Sequence, residues 1–265
     1  MRPGALEGKR AIVTGASSGI GAGVAGAFVH EGANVLAVGR DSARLERVVA
    51  SASGPGQAMA CAEDITSDGS AQRIVAEACA VFGGVDVLVH VAGVMEGGPF
   101  AEFDADSLDR QWAVNVRAPL VLTHAALGEL RGGGAVIFVS SVCGRIGFPA
   151  AAAYCATKGA IEMAVRSLAV ELGREQVRVN AVAPGWVETP MSAGPLSDPA
   201  YADDQLAATP IGRFGTPADA AAVVVFLASD AARYVHGAVY AVDGGFPALT
   251  GGGHDTVRGA LASVG

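Results

Sequence analysis

The segment Thr14-Gly15-Ala16-Ser17-Ser18-Gly19-Ile20-Gly21 decides the fold. It joins a short apolar run, Ala11 to Thr14, to a stretch of helical character that begins near Ile20. Glycines at such a turn let the backbone approach a pyrophosphate, and the helix beyond them offers unpaired N–H groups to an anion. The spacing Gly-x-x-x-Gly-x-Gly is one residue longer than the commoner dinucleotide fingerprint. The same residues satisfy Gly-x-Ser-x-Gly from Gly15 to Gly19, the nucleophile elbow of a serine hydrolase. A purely structural glycine turn is a third reading. A hydrolase needs a histidine late in the chain, after an acid, and the only late candidates are His236 and His254, neither in a strand-end setting.

Outward from this turn, short runs rich in Val and Ile alternate with longer stretches of helical period, which predicts a parallel sheet covered by helices on both faces. Strands are expected at Ala11 to Thr14, Asn34 to Val38, Gln57 to Ala62, Val85 to Val91, Ala135 to Ser140, Val177 to Val182 and Ala238 to Val242. Helices are expected at Ser42 to Ala50, Ser67 to Phe82, Asp106 to Leu130, Ala153 to Leu172 and Ala218 to Ala228. The fold class is α/β, a Rossmann-type doubly wound parallel sheet in a single domain over residues 1–247. Between Pro184 and Pro217 the chain carries six prolines, counting both ends, and a long excursion from the sheet is expected to have a function. Residues 248–265 read as a Gly-rich C-terminal tail.

Composition sets the function classes aside. The 265 residues carry 18 Lys+Arg against 26 Asp+Glu, a formal charge of -8 that repels nucleic acid and anionic bilayers. With 51% hydrophobic and 17% charged residues the chain supports a large core. Cys61, Cys79, Cys143 and Cys155 form no Cys-x-x-Cys pair and the histidines no His-x-x-x-His pair, so neither disulfide scaffold nor metal site is indicated. No signal peptide or membrane span is read, and the protein is expected to be soluble and cytoplasmic.

Tyr154 and Lys158 lie four apart in a helical segment, so their side chains share one face. An ammonium there favours the phenolate and is expected to lower the tyrosine pKa, fitting the phenol for acid–base work. An ordinary surface Tyr and Lys is the bland reading of the same spacing.

With these residues in place the sequence resembles the short-chain dehydrogenases/reductases over nearly its whole length, from Lys9 to about Phe246. Gly15, Ser17, Ser18, Gly19, Ile20 and Gly21 resemble the family's cofactor turn; Asp64, with Ile65, its adenine contact; Asn115 its helix-bending asparagine. Ser141 stands thirteen residues before Tyr154-x-x-x-Lys158. Pro184, Gly185, Val187 and Thr189, in Pro-Gly-Trp-Val-Glu-Thr, are similar to the segment that meets the nicotinamide. Where the family shows Asn-Asn-Ala-Gly, this chain reads His90-Val91-Ala92-Gly93. Ala92 and Gly93 keep the cofactor edge, and His90 is read either as a ring-nitrogen hydrogen bonder or as a packed core residue, the second being preferred.

The resemblance implies hydride transfer between NADP(H) and a ketone or secondary alcohol. Tyr154 would deliver the proton, Ser141 would orient and stabilise the carbonyl oxygen, and Lys158 would hold the nicotinamide ribose. Asn115 would hold a water relaying protons from the lysine. Arg40, after the second strand and without an acid at the ribose position, favours NADP over NAD, with NAD still possible. Met95, Val142, Cys143, Phe148, Ala151 and Trp186 are expected to face the substrate, with a loop at about 190–215 as its lid. Their apolar character points to a hydrophobic ketone or a 3-oxoacyl-type substrate. Small and apolar residues on more than one side of the Ala153 to Leu172 helix suggest a homodimer or homotetramer. A non-catalytic, cofactor-sensing member is the competing reading within the same family.

Overall fold

Strand runs with no polar side suit burial on both faces, and the computed structural model, which describes residues 4–246, buries the central strands and leaves the two edge strands partly exposed. β1 (Arg10–Thr14), β2 (Asn34–Gly39), β3 (Gln57–Ala62), β4 (Val87–His90), β5 (Ala135–Val139), β6 (Arg178–Pro184) and β7 (Val239–Val242) form one parallel sheet. Their order, β3-β2-β1-β4-β5-β6-β7, reverses direction between β1 and β4. Ligands of open α/β sheets bind outside the carboxyl ends of the strands at such a reversal. Thr14 pairs with Val38 on one side and His90 on the other, so the loops after β1, β2 and β4 leave the sheet side by side.

Alternate residues of each strand feed two cores. Val13, Val35, Val89 and Ile137 face α1 (Gly19–His30) and α9 (Pro217–Ala228), where Phe28 and Val224 are fully buried. α2 (Ser42–Ser51) closes the edge of that layer through Leu45. Ile12, Leu36, Leu88 and Val136 face α3 (Ser70–Phe82), α5 (Ala118–Leu130) and α6 (Ala152–Leu172), through Ile74, Leu122, Ile161 and Val165. Among the described residues no helix is long and apolar enough to cross a membrane.

Several expected boundaries move, each for a local reason. The helix expected from Ser67 begins at Ser70, because Gly69 sits in the left-handed region at φ 72° and breaks the first turn. The strand expected from Val85 to Val91 is trimmed to Val87–His90. The stretch read as one helix from Asp106 to Leu130 is α4 (Ala105–Trp112), a π-helical turn at Ala113–Arg117, and α5. The amide of Asn115, inside the π turn, bonds both backbone groups of Val94, and such turns often mark functional positions. In the excursion the prolines open short helices: α7 (Pro190–Ala193), a 3₁₀ turn at Pro195–Ser197, and α8 (Pro199–Ala207). Proline is tolerated at a first helical position, whose N–H has no intrahelical partner. The Gly-rich tail expected at 248–265 lies outside the described residues.

His90 is buried, at 3% exposure, with its ring centroid 4.7 Å from that of Phe138. Its Nε2 lies 2.8 Å from Thr123 Oγ1, while Nδ1 has no protein partner. A core residue that also bonds through its ring combines the two readings of this position.

Candidate active site

The glycine turn closes tightly against the next strand loop. Gly15 has φ 68°, and a Cβ on it would lie 2.7 Å from Ala92, while a Cβ on Gly21 would stand 2.1 Å from the Gly15 carbonyl oxygen. Only glycine permits this packing. Ser18 caps α1 without a side-chain hydrogen bond, so the first N–H groups of the helix stay open toward the cleft. That cleft, about 390 Å³, runs across the carboxyl ends of the strands. Every residue expected to meet the cofactor lines it, from Gly15 through Arg40, Asp64 and Gly93 to Thr189. A glycine cradle at a helix N-terminus, followed by an elongated cleft of this size, fits a dinucleotide.

At the outer end, Asp64 is held by Thr66, whose N–H and hydroxyl donate to its Oδ1 at 2.9 and 2.7 Å and keep its carboxyl below the usual range. Asp41 pairs with Arg44, Nε to Oδ2 at 3.1 Å, and caps α2 by accepting from the Arg44 N–H. Arg40 therefore has no ion-pair partner among the described residues, and a Cβ on Gly39 would lie 3.4 Å from Ser17 Oγ. Arg44 also lines the cleft, one turn into α2, and was not singled out from the sequence. Its signal is there: a second arginine four residues after Arg40.

At the inner end α6 delivers Tyr154 and Lys158, both buried, and the β5 loop delivers Ser141. Ser141 Oγ accepts from the Cys143 N–H at 3.2 Å, leaving its own hydrogen free to donate. The neighbouring Ser141 hydroxyl favours the phenolate of Tyr154. Burial is the larger effect and raises the phenol's pKa well above the tyrosine value. The expected lowering by Lys158 is thus corrected. The ammonium donates to Val139 O at 2.9 Å and sits 5.5 Å from the tyrosine ring centroid, and its own pKa falls by burial to about 8. Tyr154 is consequently a neutral phenol at neutral pH, the form that can give a proton.

Asn115 stands behind this group. Its Oδ1 accepts from Val94 N–H at 2.8 Å and its Nδ2 donates to Val94 O at 2.9 Å and Thr157 Oγ1 at 3.1 Å. Gly93 is the thin wall in front, since a Cβ there would lie 3.4 Å from Asn115 Oδ1 and 3.6 Å from Lys158 Nζ. A positioning pair unseen in the sequence lies one turn beyond Lys158. Glu162, 3% exposed in its side chain, accepts from Arg145 Nε at 3.0 Å and from Ser140 Oγ at 3.2 Å, tying the Ser141 loop to α6.

The hydrolase reading finds no support at the same turn. His236 accepts from Val179 N–H through Nδ1 at 3.1 Å, and its Nε2 lies 2.6 Å from Ala169 O, so both ring nitrogens are engaged away from Ser17. His254 lies outside the described residues. Among the described residues no His, Cys, Asp and Glu cluster suits a metal ion.

Fold and site together define a dinucleotide-binding α/β protein with a serine, a tyrosine and a lysine at the inner end of its cleft. Residues 15–247 match the family model described as enoyl-(acyl carrier protein) reductase. The chain is 39% identical over 251 residues, 92% of its length and 98% of the relative's, to 2-(S)-hydroxypropyl-CoM dehydrogenase 3 of Xanthobacter autotrophicus. It superposes with TM-score 0.89 and 34% identity on a protein of Sinorhizobium meliloti described as a short-chain alcohol dehydrogenase, covering 93% of this chain and 99% of that one. A protein of Beutenbergia cavernae described as an NAD(P)-dependent gluconate 5-dehydrogenase, with NADP bound at low occupancy, matches with TM-score 0.85 and 38% identity over 93% and 99% of the two chains. The chain belongs to the short-chain dehydrogenase/reductase family, and is an NAD(P)-dependent oxidoreductase of that family.

Proposed function

We propose that the chain interconverts an apolar ketone and its secondary alcohol with NADP(H), using Tyr154 as the proton donor to the carbonyl oxygen. The observation that carries this reading is the meeting of Ser141, Tyr154 and Lys158 at the inner end of a cleft whose outer end is the glycine cradle. A bound nicotinamide would supply or take up the hydride. Ser141, with its hydrogen uncommitted, donates to the carbonyl oxygen as negative charge grows there, a contribution of about 3 kcal/mol in comparable sites. Tyr154, held neutral by its burial, passes its proton to that oxygen. Lys158, held by Val139 O close to Gly93, would take the ribose hydroxyls, and Asn115 fixes the loop that forms this wall. This intact set favours turnover over a cofactor-sensing role.

The cradle residues Gly15, Ser17, Ser18, Gly19, Ile20 and Gly21 hold the pyrophosphate, Asp64 and Ile65 the adenine, and Ala92, Gly93, Pro184, Gly185, Val187 and Thr189 the nicotinamide half. Arg40, without an ion-pair partner among the described residues and lining the same cleft as Ser17, favours the 2′-phosphate of NADP over the bare hydroxyl of NAD. The segment from about 190 to 215 is the substrate lid, and the domain runs to about residue 247, ahead of the tail. Exposed Met163 and Val170 on α6, with Trp112 and Val121 on the neighbouring helices, suit a homodimer or homotetramer. Free cysteines fit a cytoplasmic setting.

The test is a panel of ketones and alcohols, a 3-oxoacyl thioester among them, assayed with each nicotinamide. NADPH-dependent reduction of an apolar ketone is expected, and Arg40→Ala should weaken NADPH about ten-fold or more while sparing NADH. A clear NADH preference in the parent would overturn the cofactor assignment.

A further inference from the structure

The inner cleft carries an unusual wall. Trp186, two residues past β6, packs edge-on against Phe148 from the β5 loop and against Tyr201 from α8, each at a ring-centroid distance of 5.9 Å. Its indole N–H donates to Gln205 Oε1 at 3.0 Å, so the ring turned to the cleft has no donor left for a substrate. Met95 and Met191 extend this wall with soft, adaptable surface.

The charge around it has one sign. From Trp186 to Gly212 the chain contains Glu188, Asp198, Asp203 and Asp204, and no Lys, Arg or His. The cations nearest in the chain are spent: Arg213, the next residue, is paired with Asp219 at 2.8 Å, Arg110 with Glu96 at 2.7 Å, and Arg145 with Glu162 at 3.0 Å. Among the described residues, the cations lining the cleft are Arg40 and Arg44 at the far end and Lys158, committed to Val139 O. An anion at the aromatic end would lose its water and meet no counter-charge, which is strongly unfavourable.

We propose that the site selects uncharged ketones bearing a planar or cyclic apolar body, with Trp186 as the specificity-determining residue, and rejects carboxylated, sulfonated and phosphorylated substrates. This rests on the oxidoreductase reading and sharpens it to one substrate class. The lid helix α8 joins the selection, because Tyr201 and Gln205 fix the Trp186 ring from outside.

The matched probes are 4-phenyl-2-butanone and its para-carboxylate, which differ by one charge. The expected kcat/KM is roughly ten-fold or more higher for the uncharged ketone. Trp186→Ala should erase the advantage of 4-phenyl-2-butanone over a straight-chain ketone. Met191→Arg, which adds a cation to the wall, should raise turnover of the carboxylate. Binding is read separately: the chain has two tryptophans, so Trp112→Phe leaves Trp186 as sole reporter. Its fluorescence should be quenched by 4-phenyl-2-butanone and not by the carboxylate. Equal quenching and equal turnover by the two probes would overturn the proposal while leaving the oxidoreductase reading intact. Selective quenching without turnover of any ketone would support the selectivity and sink the ketone-reduction reading instead.

Discussion

Protonation of His90 is the most exposed physical commitment of this fold. The ring lies wholly inside the sheet layer, and burial lowers its pKa from 6.5 to about 3. In the unfolded chain the same ring takes a proton near 6.5. Below that pH the unfolded state gains a proton that the folded state refuses, so stability falls on acidification from 6.5 and this loss is complete near 3. At about 1.4 kcal/mol per unit, the whole shift is worth about 5 kcal/mol, of which about 2 kcal/mol is lost by pH 5. The perturbation is His90→Asn, which removes the titrating ring. At neutral pH the variant should be the less stable by about 1–2 kcal/mol, since it forfeits the contact with Phe138 and the bond to Thr123. Urea unfolding followed by circular dichroism at pH 7 and pH 5 measures the gap between the two proteins. The gap should close or invert by about 2 kcal/mol at the lower pH. A gap that stays constant would show that the ring does not stay neutral in the folded state, and the reasoning would fail.

Other substitutions probe the cradle, the anchor and the assembly. Gly21→Ala drives a methyl group to within 2.1 Å of the Gly15 carbonyl, so cofactor binding measured by fluorescence titration should be lost together with some stability. Arg145→Ala strands the Glu162 carboxylate with Ser140 and a distant Arg166, and should cost about 2–3 kcal/mol in urea unfolding. Glu162→Gln in the same assay should cost less, because the amide keeps an acceptor for both partners. Light scattering at working concentration should give a dimer or tetramer, and a monomer would refute that assembly.

The sheet was legible because its signal is local. Runs such as Val35 to Val38 and Val136 to Val139 have no polar side. The cradle was legible for a similar reason, since its glycines are each required by contacts within the strand-turn-helix unit or with the adjacent loop at Ala92. What stayed hidden depends on partners far along the chain. The π turn at Ala113–Arg117 accompanies the bonds of Asn115 to Val94 and Thr157, and the Glu162 anchor depends on Arg145 and Ser140 arriving from another loop. The six prolines mark an excursion from the sheet, and four of them, Pro190, Pro195, Pro199 and Pro217, each open a helical turn. The electrostatics of the tyrosine is not legible from spacing. Spacing of four residues indicates nearness to an ammonium, but not that both groups are buried or that the lysine is turned to Val139.

The central claim is that the neutral phenol of Tyr154 gives its proton to a carbonyl oxygen beside the bound nicotinamide. Its most direct test is Tyr154→Phe, with ketone reduction followed by NADPH absorbance and cofactor binding followed in parallel. The account predicts near-complete loss of turnover with NADPH affinity kept; turnover at the parent rate would contradict it.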